Sequence, residues 1–335
     1  MKILFVFTGG TIGSTVHGDF IGTDSVKPYV LLEAYRRRYG LDIEYDIAEP
    51  YTALSENNTG ETIRLLCESV GGYLHNGYNG IVVTHGTDTM QYSAAALSYA
   101  FADVDIPICI VSSNLPIEQE GANGLANLHA ALRFICEVKT PGVFVPYQNE
   151  GEDVRIHRGT RLLESVAFSD RVASVYDSYY GTMREGAPFE KNPAYRELAD
   201  QMEALGVAPL GAHWDGIMRL EPYPGKVYPD VLPDSVRYIL HASYHSGTIN
   251  TEDAETRRFF AEVAKRGVQT FLTGVAPGAA YDSTRAFGTL SIAPLCNLAP
   301  IAAFVKLWMW ATLHPDIPAT AELLQRSLAG DVIVQ

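Results

Sequence analysis

Four polar stretches of this 335-residue chain set a hydroxyl or a carboxylate in the loop that follows a strand-like run. Thr8-Gly9-Gly10-Thr11-Ile12-Gly13 follows Lys2-Ile3-Leu4-Phe5-Val6-Phe7, and His85-Gly86-Thr87-Asp88-Thr89 follows Gly80-Ile81-Val82-Val83-Thr84. Leu54-Ser55-Glu56-Asn57 comes after the alternating run Leu41 to Ile47, and Ser112-Ser113-Asn114 after Pro107 to Val111. Glycines permit positive φ and bring backbone close to a ligand. A threonine hydroxyl becomes a nucleophile once a base takes its proton, and a fixed carboxylate grips a cationic substrate group. Each piece also has an ordinary use: Thr11 can satisfy a turn, Asp88 can cap a helix with Gln91 answering, and Ser55 can be a loop serine. His85 and His245 read as hydrogen-bonded side chains, and no histidine–carboxylate spacing recommends a metal.

The elements between these stretches bring them together. Helical patterns run from Pro28 to about Arg38, from Thr59 to His75, from Met90 to Ala102 and from Gly124 to Val138, alternating with the strands. On the second of these, Ile63, Leu66, Val70 and Leu74 share one face. Such strand–loop–helix units predict an α/β fold, a parallel sheet with helices on both faces. Loops after parallel strands gather along one edge, where open α/β sheets bind ligands. Residues 14–25 are polar and aperiodic and read as a lid beside Thr11. Glu152 to Phe168 predicts extended or hairpin structure, and Tyr179 to Gly211 a connection. A second α/β unit then starts near Gly216 and ends in helices near 300–313 and 319–328. The expected division is a catalytic α/β domain over 1–190, a linker over 191–212 and a smaller α/β domain over 213–335.

Composition narrows the function classes. The formal charge of −14 argues against a nucleic-acid partner. The apolar runs are strand-sized, which argues against a membrane span. The first strand carries the key loop and no signal-type segment precedes it, so a cytoplasmic protein is expected. Cys67, Cys109, Cys136 and Cys296 lack Cys-x-x-Cys spacing, so reduced thiols are expected rather than a disulfide framework or zinc site.

Thr8 to Gly13 together with Thr84-His85-Gly86-Thr87-Asp88-Thr89-Met90 resembles the paired signatures of the L-asparaginases, in particular the bacterial cytoplasmic type I branch. Further matching pieces are Leu54 to Asn57, Asn114-Leu115-Pro116, Asn123 to Leu128, Arg158-Gly159-Thr160-Arg161, Tyr223-Pro224-Gly225 and Leu328-Ala329-Gly330-Asp331, in the family's order. The resemblance implies an asparaginase-type two-domain fold, a homodimer or homotetramer, and no cofactor. It implies hydrolysis of the asparagine side-chain amide to aspartate and ammonia. Thr11 would attack, Thr87 would be the second catalytic threonine, and Asp88 would take the substrate's ammonium. Substrate contacts would come from Gly10, Ser55, Glu56, Gly86, Thr87, Asp88 and Ser112.

Three positions depart from the family pattern. Phe20 stands where the lid tyrosine belongs, Glu164 where the catalytic lysine belongs, and Thr248 where an asparagine crosses the subunit interface. Glu164 beside Asp88 would put two carboxylates together, pushing one toward a raised pKa and making Glu164 a candidate base. Alternatives are an amidase for a different substrate, a non-catalytic amino-acid-binding relative, or a shifted register in which Arg158, Arg161 or Tyr29 restores a cation or a phenol.

Overall fold

Strict alternation along the first strand sets the architecture. In β1 (Lys2–Phe7), Ile3, Phe5 and Phe7 enter one core while Leu4 and Val6 enter another. A period of two demands this of a strand covered on both faces. In the computed structural model the described residues are 1–10, 14–17, 20–23, 28–213, 216–278 and 281–334, and between 14 and 29 only the backbone path is described. Thr11 lies outside them.

In chain order the elements are β2 (Ser14–His17), β3 (Phe20–Thr23), α1 (Pro28–Tyr39), β4 (Glu44–Ala48), α2 (Gly60–Tyr73), β5 (Gly80–Thr84), α3 (Met90–Ala100), β6 (Pro107–Val111), α4 (Gly124–Arg133) and β7 (Gly142–Gln148). They continue with β8 (Val154–Arg158), β9 (Gly181–Met183), β10 (Glu190–Lys191), β11 (Ile217–Leu220), β12 (Tyr238–Ala242), α5 (Ala254–Lys265), β13 (Gln269–Val275), α6 (Asp282–Arg285), β14 (Ile292–Cys296), α7 (Pro300–Leu313) and α8 (Ala321–Leu324).

Eight strands form one sheet in the order β10-β9-β8-β7-β6-β5-β1-β4. From β4 to β7 it is parallel, and β8, β9 and β10 extend it antiparallel. The sheet is therefore mixed: the extended or hairpin structure expected from Glu152 to Phe168 supplies the single strand β8, which turns back antiparallel on β7 and is followed by β9. Helix α1 (Leu31, Leu32, Tyr35) and α4 (Leu128, Ala131, Leu132) cover one face, while α2 (Ile63, Leu66, Val70) and α3 (Ala94 to Leu97) cover the other.

A smaller, wholly parallel sheet runs β11-β12-β13-β14. Its strand β14 carries Pro294, which lacks an N–H and sits at the sheet edge, where a proline is tolerated. Helix α7 is apolar all round and serves both cores: Ile301, Ala302, Val305 and Met309 join the large-sheet core, and Ala303, Phe304 and Leu307 the small-sheet core. The molecule is thus α/β with two sheets around a shared helix.

Two stretches differ from expectation. Within 14–25 the backbone pairs β2 with β3 as an antiparallel hairpin, from Ser14↔Thr23 to His17↔Phe20. The other is 159–168, which holds a short helical turn at Gly159–Arg161 in place of extended structure; beyond it Lys191 belongs to β10, and Tyr195, Ala208 and Leu210 are buried in the cores.

Candidate active site

β1 lies between β4 and β5, so the chain leaves β1 toward one side and resumes on the other. That is the topological switch point, where the loops after two neighbouring strands part and leave a crevice. Here the loops close on one another. Gly9 and Gly10 hold φ of +95° and +79°, which L side chains seldom adopt. Gly10 N donates to Ala53 O at 3.0 Å and Ala53 N to Thr8 O at 3.0 Å, latching the segment after β4 onto the β1 turn. A Cβ on Gly10 would lie 2.3 Å from Gly86 N, and one on Gly86 2.5 Å from Ser55 Oγ. Gly10, Ser55 and Gly86 therefore meet without room for a methyl group.

Ser55 is buried at the start of a single helical turn, Ser55–Asn57. Its hydroxyl donates to Asp88 Oδ2 at 2.8 Å and accepts from Asp88 N at 3.3 Å. Thr89 Oγ1 donates to Ser55 O at 2.8 Å, so the two loops are joined through both backbone and side chain. Helix α3 begins after Thr89 with no side-chain cap, and Gln91 Nε2 reaches the Asp88 carbonyl, not its carboxylate, at 3.0 Å. The capping role open to Asp88 is thus unused. Its side chain is exposed and lines a cleft of about 650 Å³ with half-buried Thr87, Glu164 and residues 165–172. Glu56 is exposed in the Ser55 turn.

His85 is fully buried beneath the site, and burial lowers its pKa, opposed by a bond to the Gly86 carbonyl and by Asp88. Since a carbonyl only accepts, Nδ1 (2.8 Å from Gly86 O) carries the proton. Nε2 then accepts from Ser93 Oγ at 2.8 Å and lies 3.3 Å from Asn58 Nδ2. His85 is a support of the loop. Among the described residues no cluster of histidine, cysteine and carboxylates could hold a metal.

The loop after β6 is occupied with itself. Asn114 and Asn123 exchange N–H···Oδ1 bonds of 3.0 Å, and Ser113 Oγ accepts from Gly124 N at 3.1 Å. Ser112 is fully buried, and its hydroxyl has no hydrogen-bond partner among the described residues.

Glu164 shares the cleft with Thr87 and Asp88, and its neighbour Ser165 donates to the Thr87 carbonyl at 3.4 Å. The Glu164 carboxylate does not pair with Asp88. It lies 3.1 Å from the Arg219 guanidinium and accepts from the Tyr92 hydroxyl at 3.0 Å. Arg219, on β11 of the small sheet, also donates to Tyr92 Oη at 2.7 Å. Each carboxylate thus has its own partner: Ser55 for Asp88, and Arg219 with Tyr92 for Glu164. Arg158 and Arg161 do not restore a cation to the cleft. They are buried against the carbonyls of Ala329 and Gly330. Thr248 closes a turn after β12, its hydroxyl 2.9 Å from Ser246 Oγ. The side chains of Phe20 and Tyr29 lie outside the described residues.

Residues 2–186, more than half of the chain, match the family model "Asparaginase, N-terminal". The chain belongs to the asparaginase family. It is 26% identical to an L-asparaginase of Thermococcus kodakarensis over 99% of both chains. It is 25% identical to a glutamyl-tRNA(Gln) amidotransferase subunit of Sulfurisphaera tokodaii, covering 99% of this chain and 75% of that one. Among solved structures, the thermostable L-asparaginase from Thermococcus kodakarensis superposes with a TM-score of 0.75 at 21% identity over the whole of both chains. L-asparaginase I from Vibrio cholerae does so with 0.73 at 20% identity over 99% of each.

Two of the asparaginase-like motifs in this chain are structural. Arg158 Nε and Thr160 Oγ1 both donate to Ala329 O, and Arg161 Nε donates to Gly330 O at 2.8 Å. Arg158-Gly159-Thr160-Arg161 and the closing Leu328-Ala329-Gly330-Asp331 therefore bind each other. Local sequence could not reveal Arg219 and Tyr92, since the partners of Glu164 come from another sheet and another helix.

Proposed function

We propose that this asparaginase-family chain is an amidohydrolase that converts the side-chain amide of L-asparagine, or a close analogue, to aspartate and ammonia. The observation that carries this reading is the convergence of Gly10, Ser55, Gly86 and Asp88 at the switch point, immediately beside the position of Thr11 in the sequence. Thr11 Oγ attacks the amide carbonyl, the C–N bond breaks, and ammonia leaves with the threonine proton. Water then cleaves the ester, releasing aspartate and restoring the hydroxyl. Thr87 is the second catalytic threonine, Asp88 receives the substrate ammonium, and Ser55 and Glu56 grip the carboxylate and ammonium ends. Glu164 is the carboxylate at the cleft wall. No cofactor enters the reaction, and the active form is a homodimer or homotetramer in the cytoplasm. The catalytic domain spans 1–190, joined through 191–212 to a domain over 213–335.

The test is ammonia release from a panel of small amides by wild type and Thr11→Val. Turnover of L-asparagine that disappears in Thr11→Val supports the reading, and wild-type inertness toward every amide overturns it.

A second reading draws support from relatives named as amidotransferase subunits. In it the chain delivers ammonia within a larger assembly. Turnover of free asparagine by the isolated chain in the ordinary range of about 1–10³ s⁻¹ favours the first reading. Amide hydrolysis that appears only with a partner protein favours the second.

A further inference from the structure

Where the family pattern carries a lysine, Glu164 reverses the charge, and its carboxylate takes its cation from the small sheet. Arg219 reaches from β11 to within 3.1 Å of Glu164 Oε2, while also standing 3.5 Å from Glu221. Aromatic groups fix it further. Tyr92 Oη accepts from its guanidinium at 2.7 Å, and the Phe304 ring of α7 lies 5.3 Å beneath it. The Tyr92 ring in turn meets Phe304 edge-on at 6.2 Å. Burial pushes the Tyr92 phenol up to about 12, so it remains a proton donor, and it spends that proton on Glu164 Oε1 at 3.0 Å. Arg219 does not line the cleft. Glu164 does, with Thr87 and Asp88, and the adjoining Ser165 is bonded to the Thr87 carbonyl.

We propose that Arg219, assisted by Tyr92, is the positioning residue of this active site: it holds the Glu164 carboxylate at the cleft wall beside Thr87 and Asp88, in place of a lysine. Half of the Glu164 side chain is open to solvent. Without this clamp a side chain of three torsions would sample many rotamers and present its charge to Thr87 and Asp88 only part of the time. The clamp also explains how a glutamate is tolerated in the same cleft as Asp88. A guanidinium that forks onto two acceptors offsets the added negative charge locally, which a second free carboxylate would not allow.

This inference rests on the amidohydrolase reading, and its test separates the two. Ammonia release from L-asparagine is measured for wild type, Thr11→Val, Glu164→Gln, Arg219→Met, Arg219→Lys, Tyr92→Phe and the double variant Glu164→Gln/Arg219→Met, each first checked for wild-type thermal stability. Arg219→Met is expected to lower kcat about tenfold or more with KM within about twofold, because the loss falls on positioning rather than on substrate binding. Arg219→Lys recovers part of the loss, and Tyr92→Phe shows a smaller fall in kcat alone. The double variant is no slower than the slower single one, since the two residues act as a unit. Wild-type kcat in Arg219→Met, or losses that simply multiply in the double variant, would overturn the positioning role while leaving the amidohydrolase standing. Should wild type release no more ammonia than Thr11→Val, the amidohydrolase reading falls and the role given to Arg219 falls with it. Tyr92→Phe and Arg219→Lys retain the bulk of the side chains, so one interpretable variant survives if Arg219→Met fails to fold.

Discussion

At the scale of single residues, the site is built by close approach. Ser55 is buried and its hydroxyl both gives to and takes from Asp88. Ser55→Ala removes a hydrogen bond to a charged group, worth about 1.5–3 kcal/mol. It should lower the unfolding free energy by about that amount and raise KM for an amino-acid amide by freeing Asp88, as urea titration beside steady-state kinetics will read. Gly86→Ala should do more damage, because the added Cβ would fall 2.5 Å from Ser55 Oγ and 3.3 Å from Gly10 Cα. Activity should fall by at least the Ser55→Ala factor, and wild-type kinetics in the Gly86→Ala enzyme would contradict this packing. Gly10, Ser55, Gly86, Thr87 and Asp88 were legible in the sequence as polar loops after apolar strands. Glu164 was legible as a departure from pattern, but its partners were not. Tyr92 sits mid-pattern on an alanine-rich helix and Arg219 in an ordinary strand, so nothing local marks either as part of a cluster.

Among the elements, α7 illustrates what tertiary packing adds. An all-round apolar helix must be buried on every side, and this one carries Lys306 with 1% exposure. Its ammonium pairs with fully buried Asp331 at 2.8 Å, while Tyr99 on α3 donates to the same carboxylate at 3.0 Å. Lys306→Met leaves Asp331 buried without its cation, so unfolding free energy should drop by about 3–5 kcal/mol in urea titration. The double variant Lys306→Met/Asp331→Leu should recover much of that loss, since removing both charges removes the desolvation cost as well. The helices of the large sheet were readable from their period and its central strands as short continuous apolar runs, because each of those strands feeds two apolar cores. Strand β14 was not, since Pro294 interrupts its apolar run and edge pairing alone rescues it. The hairpin within 14–25 escapes periodicity for a related reason: its short strands carry no apolar alternation, and the pairing of Ser14 with Thr23 is a backbone property.

For the whole molecule, buried neutral histidines impose a pH slope on stability. Burial, then repulsion from Arg155, takes His157 down to about 3, and burial takes His241 down to about 4. An unfolded histidine titrates near 6.5. Between those values the unfolded chain binds more protons than the folded one, so stability rises with pH across the window and is lost as pH falls from about 6.5 toward 4. Each such group contributes up to ~1.4 kcal/mol per pH unit there. His157→Gln should therefore flatten the dependence of urea midpoint on pH between 6.5 and 4, whatever it does at neutral pH, and an unchanged slope would mean that His157 is not the group responsible. The two-sheet α/β organisation was readable from the rhythm of strands and helices. The sharing of α7 by both cores was not, because periodicity reports burial without naming the partner.

The measurement closest to the central claim is rapid-quench intact-mass analysis of wild type and Thr11→Val mixed with L-asparagine. A transient adduct of one aspartyl group is expected on wild type, mapped to Thr11, with ammonia released in a burst of about one equivalent per site, and neither signal in Thr11→Val. Steady ammonia release from Thr11→Val at the wild-type rate, with no adduct on either protein, would contradict a threonine acyl-enzyme.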